Sequence, residues 1–244
     1  MKLDILAIGV HPDDIELACS GTLLQQIDQG KKIGILDLTR GELGSRGSAE
    51  IRDQEAAASA KLMGALVREN ARMADGFFQH TEENLLKIVR VVRRYQPKIV
   101  LANAINDRHP DHGRAAKLIS DACFLAGLVK IETQEENGQP QAKWRPQAVY
   151  HYIQDYDLKP DFVVDISPYV DKKMELIQCF SSQFFSPKAK DTYSEEPATP
   201  ISSESFIDFL LSKSRSFGRP IGVEHGEGYT VARPVGVRDI CDLL

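Results

Sequence analysis

Three of the six histidines in this 244-residue chain lie in two closely similar tetrapeptides, His11-Pro12-Asp13-Asp14 and His109-Pro110-Asp111-His112. Imidazole nitrogen and carboxylate oxygen are suitable ligands for Zn²⁺, and a catalytic zinc takes three protein ligands and leaves one position for water. Two imidazoles and one carboxylate meet that requirement. The same segments hold further carboxylates and a further imidazole, which are available for proton transfer. The residue types therefore favour metal-assisted hydrolysis.

Each tetrapeptide follows an apolar run of strand length, Leu3 to Val10 in the first case and Lys98 to Asn103 in the second. Helical and strand patterns alternate along this half of the chain, which predicts a parallel sheet covered by helices on both faces. In open α/β sheets, ligand sites form at the carboxyl ends of the strands. We therefore expect the two tetrapeptides to face one crevice.

The predicted fold class is α/β, with a Rossmann-like open, mostly parallel sheet in a single domain over residues 1–244, since such a fold can use the whole span to bury one core. Apolar periodicity predicts the elements, and the second half of the chain is less regular than the first. Further strands are predicted at 32–38, 66–73, 148–153 and 162–166, and helices at 15–27, 49–63, 82–95, 113–129, 168–180 and 203–216.

The carboxylates also have a purely structural interpretation. Asp13 or Asp14 could cap the helix that follows the first strand, with Glu16 in its first turn favoured by the helix dipole. Capping explains neither the histidine nor the second copy of the motif. Capping and metal binding are also compatible, because a cap residue is held rigidly at the mouth of the sheet.

Composition and charge exclude several functions. The chain has 30 Lys and Arg against 35 Asp and Glu, a formal net charge of -5, and these charges are interspersed, so we expect no nucleic-acid partner. The first β-α turn lacks the G-x-G-x-x-G fingerprint of dinucleotide binding. No apolar run has the length of a signal-peptide core or a membrane span, which predicts a cytoplasmic protein without a membrane partner.

Along most of its length the sequence resembles the LmbE-like or PIG-L family of zinc-dependent deacetylases, which act on N-acetylglucosamine derivatives. The resemblance includes both tetrapeptides, the segment Thr39-Arg40-Gly41-Glu42 after the second strand, and the helix with Arg52 and Glu55. Later segments are most similar to the bacillithiol branch, whose members deacetylate N-acetylglucosaminyl-malate. These are Phe162-Val163-Val164-Asp165-Ile166-Ser167, Ser182-Gln183-Phe184, and Gly218-Arg219-Pro220-Ile221-Gly222 through Gly226-Glu227-Gly228-Tyr229.

The resemblance implies which residues bind the metal and which transfer protons. His11, Asp14 and His112 are implied as the ligands of Zn²⁺, although Fe²⁺ or Co²⁺ suits the same nitrogen and oxygen donors. Asp13 is implied as the general base that takes a proton from the attacking water. His109 is implied as the acid, or in its protonated form as a donor to the tetrahedral oxygen.

Further residues carry implied supporting roles. A tyrosine matching Tyr193 would stabilise the tetrahedral oxygen, and Asp111 would hydrogen-bond the His109 ring. Arg52 would bind the substrate, either a sugar hydroxyl pair or the malate carboxylates. Its alternative is a helix arginine paired with Glu55 or Glu42. Glu42 is expected in the wall of the sugar pocket.

The leading hypothesis is a zinc-dependent deacetylase for N-acetylglucosaminyl-L-malate, a small glycoside. A deacetylase or amidase for another N-acetylglucosamine conjugate stays open, as does a non-catalytic metal-binding module of the same fold. A two-metal phosphoesterase is disfavoured, since such sites need more ligands than two tetrapeptides offer. The resemblance also implies a homo-oligomer, a trimer or a hexamer.

Overall fold

The computed structural model describes residues 1–185 and 195–242. Within those ranges a single sheet of seven strands is covered by seven α-helices. The strands are β1 (Ile5–Gly9), β2 (Ile33–Asp37), β3 (Val67–Asn70), β4 (Ile99–Ala102), β5 (Ala148–Tyr152), β6 (Phe162–Asp165) and β7 (Gly226–Val231). The helices are α1 (Asp14–Ala18), α2 (Ser20–Asp28), α3 (Ala49–Met63), α4 (Glu82–Tyr95), α5 (Pro110–Ala126), α6 (Val170–Gln178) and α7 (Glu204–Gly218).

The strand order is β3-β2-β1-β4-β5-β7-β6. The first five of these run parallel, and only β7 is antiparallel to both of its neighbours. The predicted single-domain, mostly parallel α/β class is therefore confirmed. Strand order reverses at β1, which lies between β2 and β4, so the loops after β1 and β4 open side by side.

The sheet core follows from alternation along the strands, because successive side chains point to opposite faces. In β1, Leu6 and Ile8 belong to a buried cluster with side chains of α4 and α5. Ile5 and Ala7 belong to a second cluster, with side chains of α2, α3 and α6. All five residues of β1 are buried, as expected for a central parallel strand.

Several elements differ from the sequence predictions. The helix predicted at 15–27 is broken at Cys19 into α1 and α2. Helix α5 begins at Pro110 rather than near Gly113, because proline suits the first helical position, where its missing N–H has no partner to lose. Strand β7 was not predicted. In the described part of the chain, no α-helix is long and apolar enough to cross a membrane.

Candidate active site

The loops after β1 and β4 bring the two tetrapeptides together at the carboxyl edge of the sheet. The ring centroids of His11 and His109 are 4.7 Å apart, those of His11 and His112 5.6 Å, and those of His109 and His112 5.3 Å. The predicted shared crevice is thus present. It lies where strand order reverses, the usual ligand position in a doubly wound sheet.

Asp14 lies between two of these rings. Its Oδ1 is 3.2 Å from His112 Nε2, and its Oδ2 is 3.8 Å from His11 Nδ1. The carboxylate is held in place by hydrogen bonds from the main-chain N–H groups of Val10 and His11 and from the Asn103 amide. Neither Asp13 nor Asp14 caps α1 through its side chain, so the capping interpretation does not account for them.

Each of the two histidines that face Asp14 contacts another carboxylate through its second ring nitrogen. His11 Nε2 is 3.1 Å from Asp75 Oδ1, and His112 Nδ1 is 2.6 Å from Asp107 Oδ2. Such partners fix the orientation of an imidazole and direct the opposite nitrogen toward a metal. Sequence analysis missed both aspartates. Their one signal was position, since Asp75 follows β3 and Asp107 follows β4.

This donor set fits a divalent metal. One nitrogen of His11 and one of His112 each lie next to an oxygen of the Asp14 carboxylate, and these are the ligand types of an N/O-ligated zinc site. Among the described residues, His109 also offers a nitrogen within 4.8 Å of those of His11 and His112. A second group with the same spacing combines His11 with Asp75 and Asp111. The site is therefore suited to bind a cation, and His11 is common to the possible ligand sets.

Charge in the site sets the protonation of these histidines. Burial opposes a charge on His11, but the neighbouring carboxylates of Asp14 and Asp75 outweigh it and raise the pKa of the imidazole to about 9. Burial likewise opposes a charge on His112, while Asp14 and Asp107 raise its pKa to about 10. The pKa of Asp14 lies well below its usual range, because the two imidazoles outweigh the effect of burial.

Asp13 lies beside this group and is paired with Arg52. Arg52 Nη2 donates to Asp13 Oδ2 at 2.8 Å, and Nη1 donates to the Gly41 carbonyl at 3.2 Å. Burial raises the pKa of the Asp13 carboxyl, and the Arg52 charge opposes that rise. Each Nη atom of Arg52 makes one contact with the protein and keeps a second N–H, so the predicted substrate contact stays a prediction. The alternative pairing of Arg52 with Glu55 or Glu42 is not observed.

Gly41 permits this arrangement. Its backbone has a φ of 65°, in the left-handed region that glycine adopts most readily. A Cβ at this position would lie 1.9 Å from Arg52 Nη1. The glycine after β2 therefore makes room for the guanidinium that holds Asp13.

His109 lies at the N-terminus of α5, where its Nδ1 accepts a hydrogen bond from the main-chain N–H of Asp111. The predicted bond from the Asp111 carboxylate to the His109 ring is wrong. That carboxylate accepts hydrogen bonds from Gly76 N and Arg114 instead, because α5 directs it toward the segment after β3. Burial, together with the charges of His11 and His112, lowers the pKa of His109.

Of the remaining predicted site residues, Glu42 does not join the group. Glu42 is exposed and does not line the pocket; its carboxylate accepts hydrogen bonds from the main-chain N–H groups of Asp75 and Arg40, so it shapes the loop after β2. The prediction of Glu42 in the pocket wall is therefore wrong. Tyr193 lies outside the described residues.

A pocket of about 360 Å³ opens above the three rings. One wall is polar and contains His11, Asp13, Asp14, His109 and His112. A second part of the lining is largely apolar and comes mostly from α7 and the segment before it: Pro200, Ile201, Phe206, Phe209 and Leu210. The pocket is large enough for a small substrate, with the titratable groups at one side.

Comparison with known proteins gives a consistent result. The family model described as PIG-L, GlcNAc-PI de-N-acetylase, matches residues 6–123. The chain is 30% identical over 192 residues to diacetylchitobiose deacetylase of Thermococcus kodakarensis, a match covering 74% of this chain and 70% of the relative. It is 26% identical over 193 residues to 4-oxalmesaconate hydratase of Pseudomonas putida, covering 73% of each. The crystal structure of the conserved protein TT1542 from Thermus thermophilus superposes with a TM-score of 0.82 and 32% identity over 98% of both chains.

Proposed function

The chain belongs to the PIG-L family of de-N-acetylases, and on that premise we propose that it removes the acetyl group from N-acetylglucosaminyl-L-malate. The observation that carries the proposal is the position of Asp13. This buried carboxylate lines the pocket directly beside the converging donors of His11, Asp14 and His112. An acid-base group next to a metal-binding donor set is what amide hydrolysis by water requires.

We assign the metal, Zn²⁺, to His11, Asp14 and His112. When bound, it supplies a Lewis acid that acidifies water and polarises a carbonyl. Asp107 and Asp75 hold the two imidazoles so that one nitrogen of each faces Asp14. The chain thus presents a preformed donor set, which lowers the cost of ordering the ligands.

Asp13 accepts the proton of the attacking water at its carboxylate. Arg52 holds Oδ2 of this carboxylate, so the group keeps one orientation toward the pocket. Burial raises the pKa of Asp13, which makes it a stronger base than an exposed aspartate. The proton then passes to the departing amine.

His109 lines the same pocket as Asp13 and serves as the hydrogen-bond donor to the tetrahedral oxygen. Its Nδ1 accepts the Asp111 N–H, which leaves Nε2 as the nitrogen that carries a proton in the neutral ring. A neutral His109 donates a hydrogen bond from that atom. The lowered pKa of His109 favours this neutral form at pH 7.

The malate conjugate is the most specific part of the proposed function. Similarity of the segments at 162–167, 182–184 and 218–229 to the bacillithiol branch supports it. The Thermococcus relative is named for a neutral disaccharide, so a deacetylase for another N-acetylglucosamine conjugate is the nearest alternative. We also propose a cytoplasmic homo-oligomer, a trimer or a hexamer, on the strength of the family resemblance.

A hydratase is the second candidate, because the Pseudomonas relative carries that name over 73% of this chain. Hydration also adds activated water to a carbon centre, and so it needs a similar base and metal. The two reactions differ in product. Only the deacetylase releases acetate and a free amine.

The test is a substrate panel with zinc-loaded protein and a chelator-treated control. The panel contains N-acetylglucosaminyl-L-malate, methyl N-acetylglucosaminide, diacetylchitobiose and 4-oxalmesaconate. We expect chelator-sensitive acetate release, highest with the malate conjugate. Preference for diacetylchitobiose would assign a different conjugate, and hydration of 4-oxalmesaconate without acetate release would overturn the deacetylase assignment.

A further inference from the structure

Two arginines line the pocket, and they differ in the use of their guanidinium groups. Arg52 is buried, and its Nη atoms bind Asp13 and the Gly41 carbonyl. Arg108 has a side chain that is 46% exposed, and its Nε donates to Asp155 Oδ2 at 3.0 Å. Within the described ranges, no protein acceptor binds the two Nη atoms of Arg108. Four N–H donors are therefore directed to the pocket side or to solvent.

The main chain of Arg108 is fixed relative to the candidate metal ligands. Its main-chain N–H donates to Asp107 Oδ1, and the main-chain N–H of Asp155 donates to the same oxygen. The other oxygen of Asp107 binds His112. One carboxylate therefore joins the main chain of Arg108 and of its partner Asp155 to the His112 imidazole.

We propose that Arg108 binds a carboxylate of the substrate's aglycone and so selects anionic glycosides over neutral ones. The inference rests on the proposed deacetylase function and names the substrate class that the same site takes. A guanidinium offers two parallel N–H donors that match the two oxygens of a carboxylate. The Nε bond to Asp155 keeps the plane of the group in position while the Nη edge accepts the ligand.

The other lining residues also favour Arg108 as the position that binds an anion. Arg52 is buried and pairs with Asp13 through a terminal Nη atom, whereas Arg108 is partly exposed and pairs with Asp155 through Nε alone. The wall formed by Ile201, Phe206 and Phe209 offers no donor to a carboxylate. Within the described lining, Arg108 is the cation whose terminal donors lack a protein partner. It precedes His109 in the sequence, lines the same pocket and is partly exposed, which suits contact with the part of a glycoside that lies beyond the acetamide.

The experiment compares wild type with Arg108→Gln, using Arg90→Gln as a matched control on α4 outside the pocket. N-acetylglucosaminyl-L-malate and methyl N-acetylglucosaminide are assayed with zinc-loaded protein. We expect Arg108→Gln to raise KM for the malate conjugate about 10- to 100-fold, the loss typical of a charge-assisted contact, and to change kcat little. Turnover of the methyl glycoside stays unchanged, as does every value for Arg90→Gln.

Binding of glucosaminyl-malate, the product that cannot react further, is measured by calorimetry in parallel. Weaker binding of this product by Arg108→Gln supports the inference, whether or not acetate is released. Absence of acetate release from every glycoside would instead overturn the deacetylase function. An equal loss with both glycosides would show that Arg108 acts through Asp107 on the metal site, and so overturn the inference. Unchanged KM, or a wild type that binds no malate-bearing ligand, overturns it as well.

Discussion

At the residue scale, the candidate site contains two imidazoles, and in each the ring nitrogen that faces away from Asp14 contacts a further carboxylate. The bond from His112 Nδ1 to Asp107 Oδ2 is 2.6 Å long, and both side chains are buried. We expect Asp107→Asn to weaken zinc binding about 10- to 100-fold, since the amide orients the ring less firmly and lowers its basicity. Competition with a fluorescent chelator measures the affinity, and an unchanged dissociation constant would contradict this role.

The two histidines of the second tetrapeptide are distinguishable by metal content. His112 Nε2 lies 3.2 Å from Asp14, whereas His109 hydrogen-bonds the main chain of its own helix. We expect His112→Ala to lose stoichiometric zinc, and His109→Ala to retain it with kcat reduced about 10²- to 10³-fold, as for a lost donor to the tetrahedral oxygen. Metal analysis after dialysis checks both. The reverse pattern would exchange the two roles, and loss of zinc in both variants would favour the cluster of three histidines.

The motif residues could be identified from sequence because imidazole and carboxylate pairs repeat at the ends of two strands. The partners Asp75, Asp107 and Arg108 could not, since nothing local distinguishes an aspartate or arginine in a loop from a solvated one. The pairing of Arg52 with Asp13 also required the structure. It depends on the space beside Gly41, which only the folded backbone defines.

At the scale of elements, a buried ion pair joins β7 to the helices beneath the site. Lys173 of α6 donates to Glu227 of β7 at 2.6 Å, and Glu227 also accepts hydrogen bonds from Gly21 and Thr22 at the start of α2. We expect Lys173→Met to reduce the free energy of unfolding by about 3–5 kcal/mol, because it leaves a buried carboxylate without its counter-charge.

Its neighbour Lys172 provides the control. Lys172 pairs with Glu175, and the two side chains are 39% and 58% exposed. We expect Lys172→Met to cost no more than about 1 kcal/mol, as for other surface pairs. Urea unfolding of both variants gives the comparison. Equal losses would mean that the buried pair does not hold these elements together.

Helices α3 and α4 match their predicted bounds because clear signals delimit them. Ser48 and Thr81 cap their N-termini, and Gly64 and Gln96 end them in left-handed conformations. Strand β7 escaped prediction since Gly226 and Gly228 weaken the apolar alternation. Glycine at position 226 suits the packing there, because a Cβ would lie 2.5 Å from Val163 Cγ1 and 3.0 Å from the main-chain nitrogen of Gly218. At this strand the local sequence pattern does not favour a strand, and packing against the rest of the fold determines the conformation.

At the scale of the whole molecule, the sheet gathers ligands from segments far apart in the chain and places them among carboxylates. With the pKa of His11 at about 9 and that of His112 at about 10, both rings carry a proton at pH 7 in the metal-free protein. A metal binds only neutral imidazole, so its binding must release these protons. The affinity for zinc should therefore rise with pH as long as the pH is below the pKa values of the two imidazoles.

Between pH 6 and 8 we expect the logarithm of the association constant to rise by up to about two per pH unit, one for each proton displaced. Calorimetry in buffers of different ionisation enthalpy counts the released protons. Zinc binding without proton release would contradict the ligand assignment of both histidines.

The central claim is that Asp13 activates water in a metal-dependent deacetylase, and the most direct measurement is acetate release by wild type and Asp13→Asn at matched zinc occupancy. Asparagine keeps an oxygen for the Arg52 contact but cannot accept the proton. With N-acetylglucosaminyl-L-malate, we predict chelator-sensitive release by wild type and a kcat about 10²- to 10⁴-fold lower in the variant. Near-equal rates in the two zinc-loaded proteins would contradict the account.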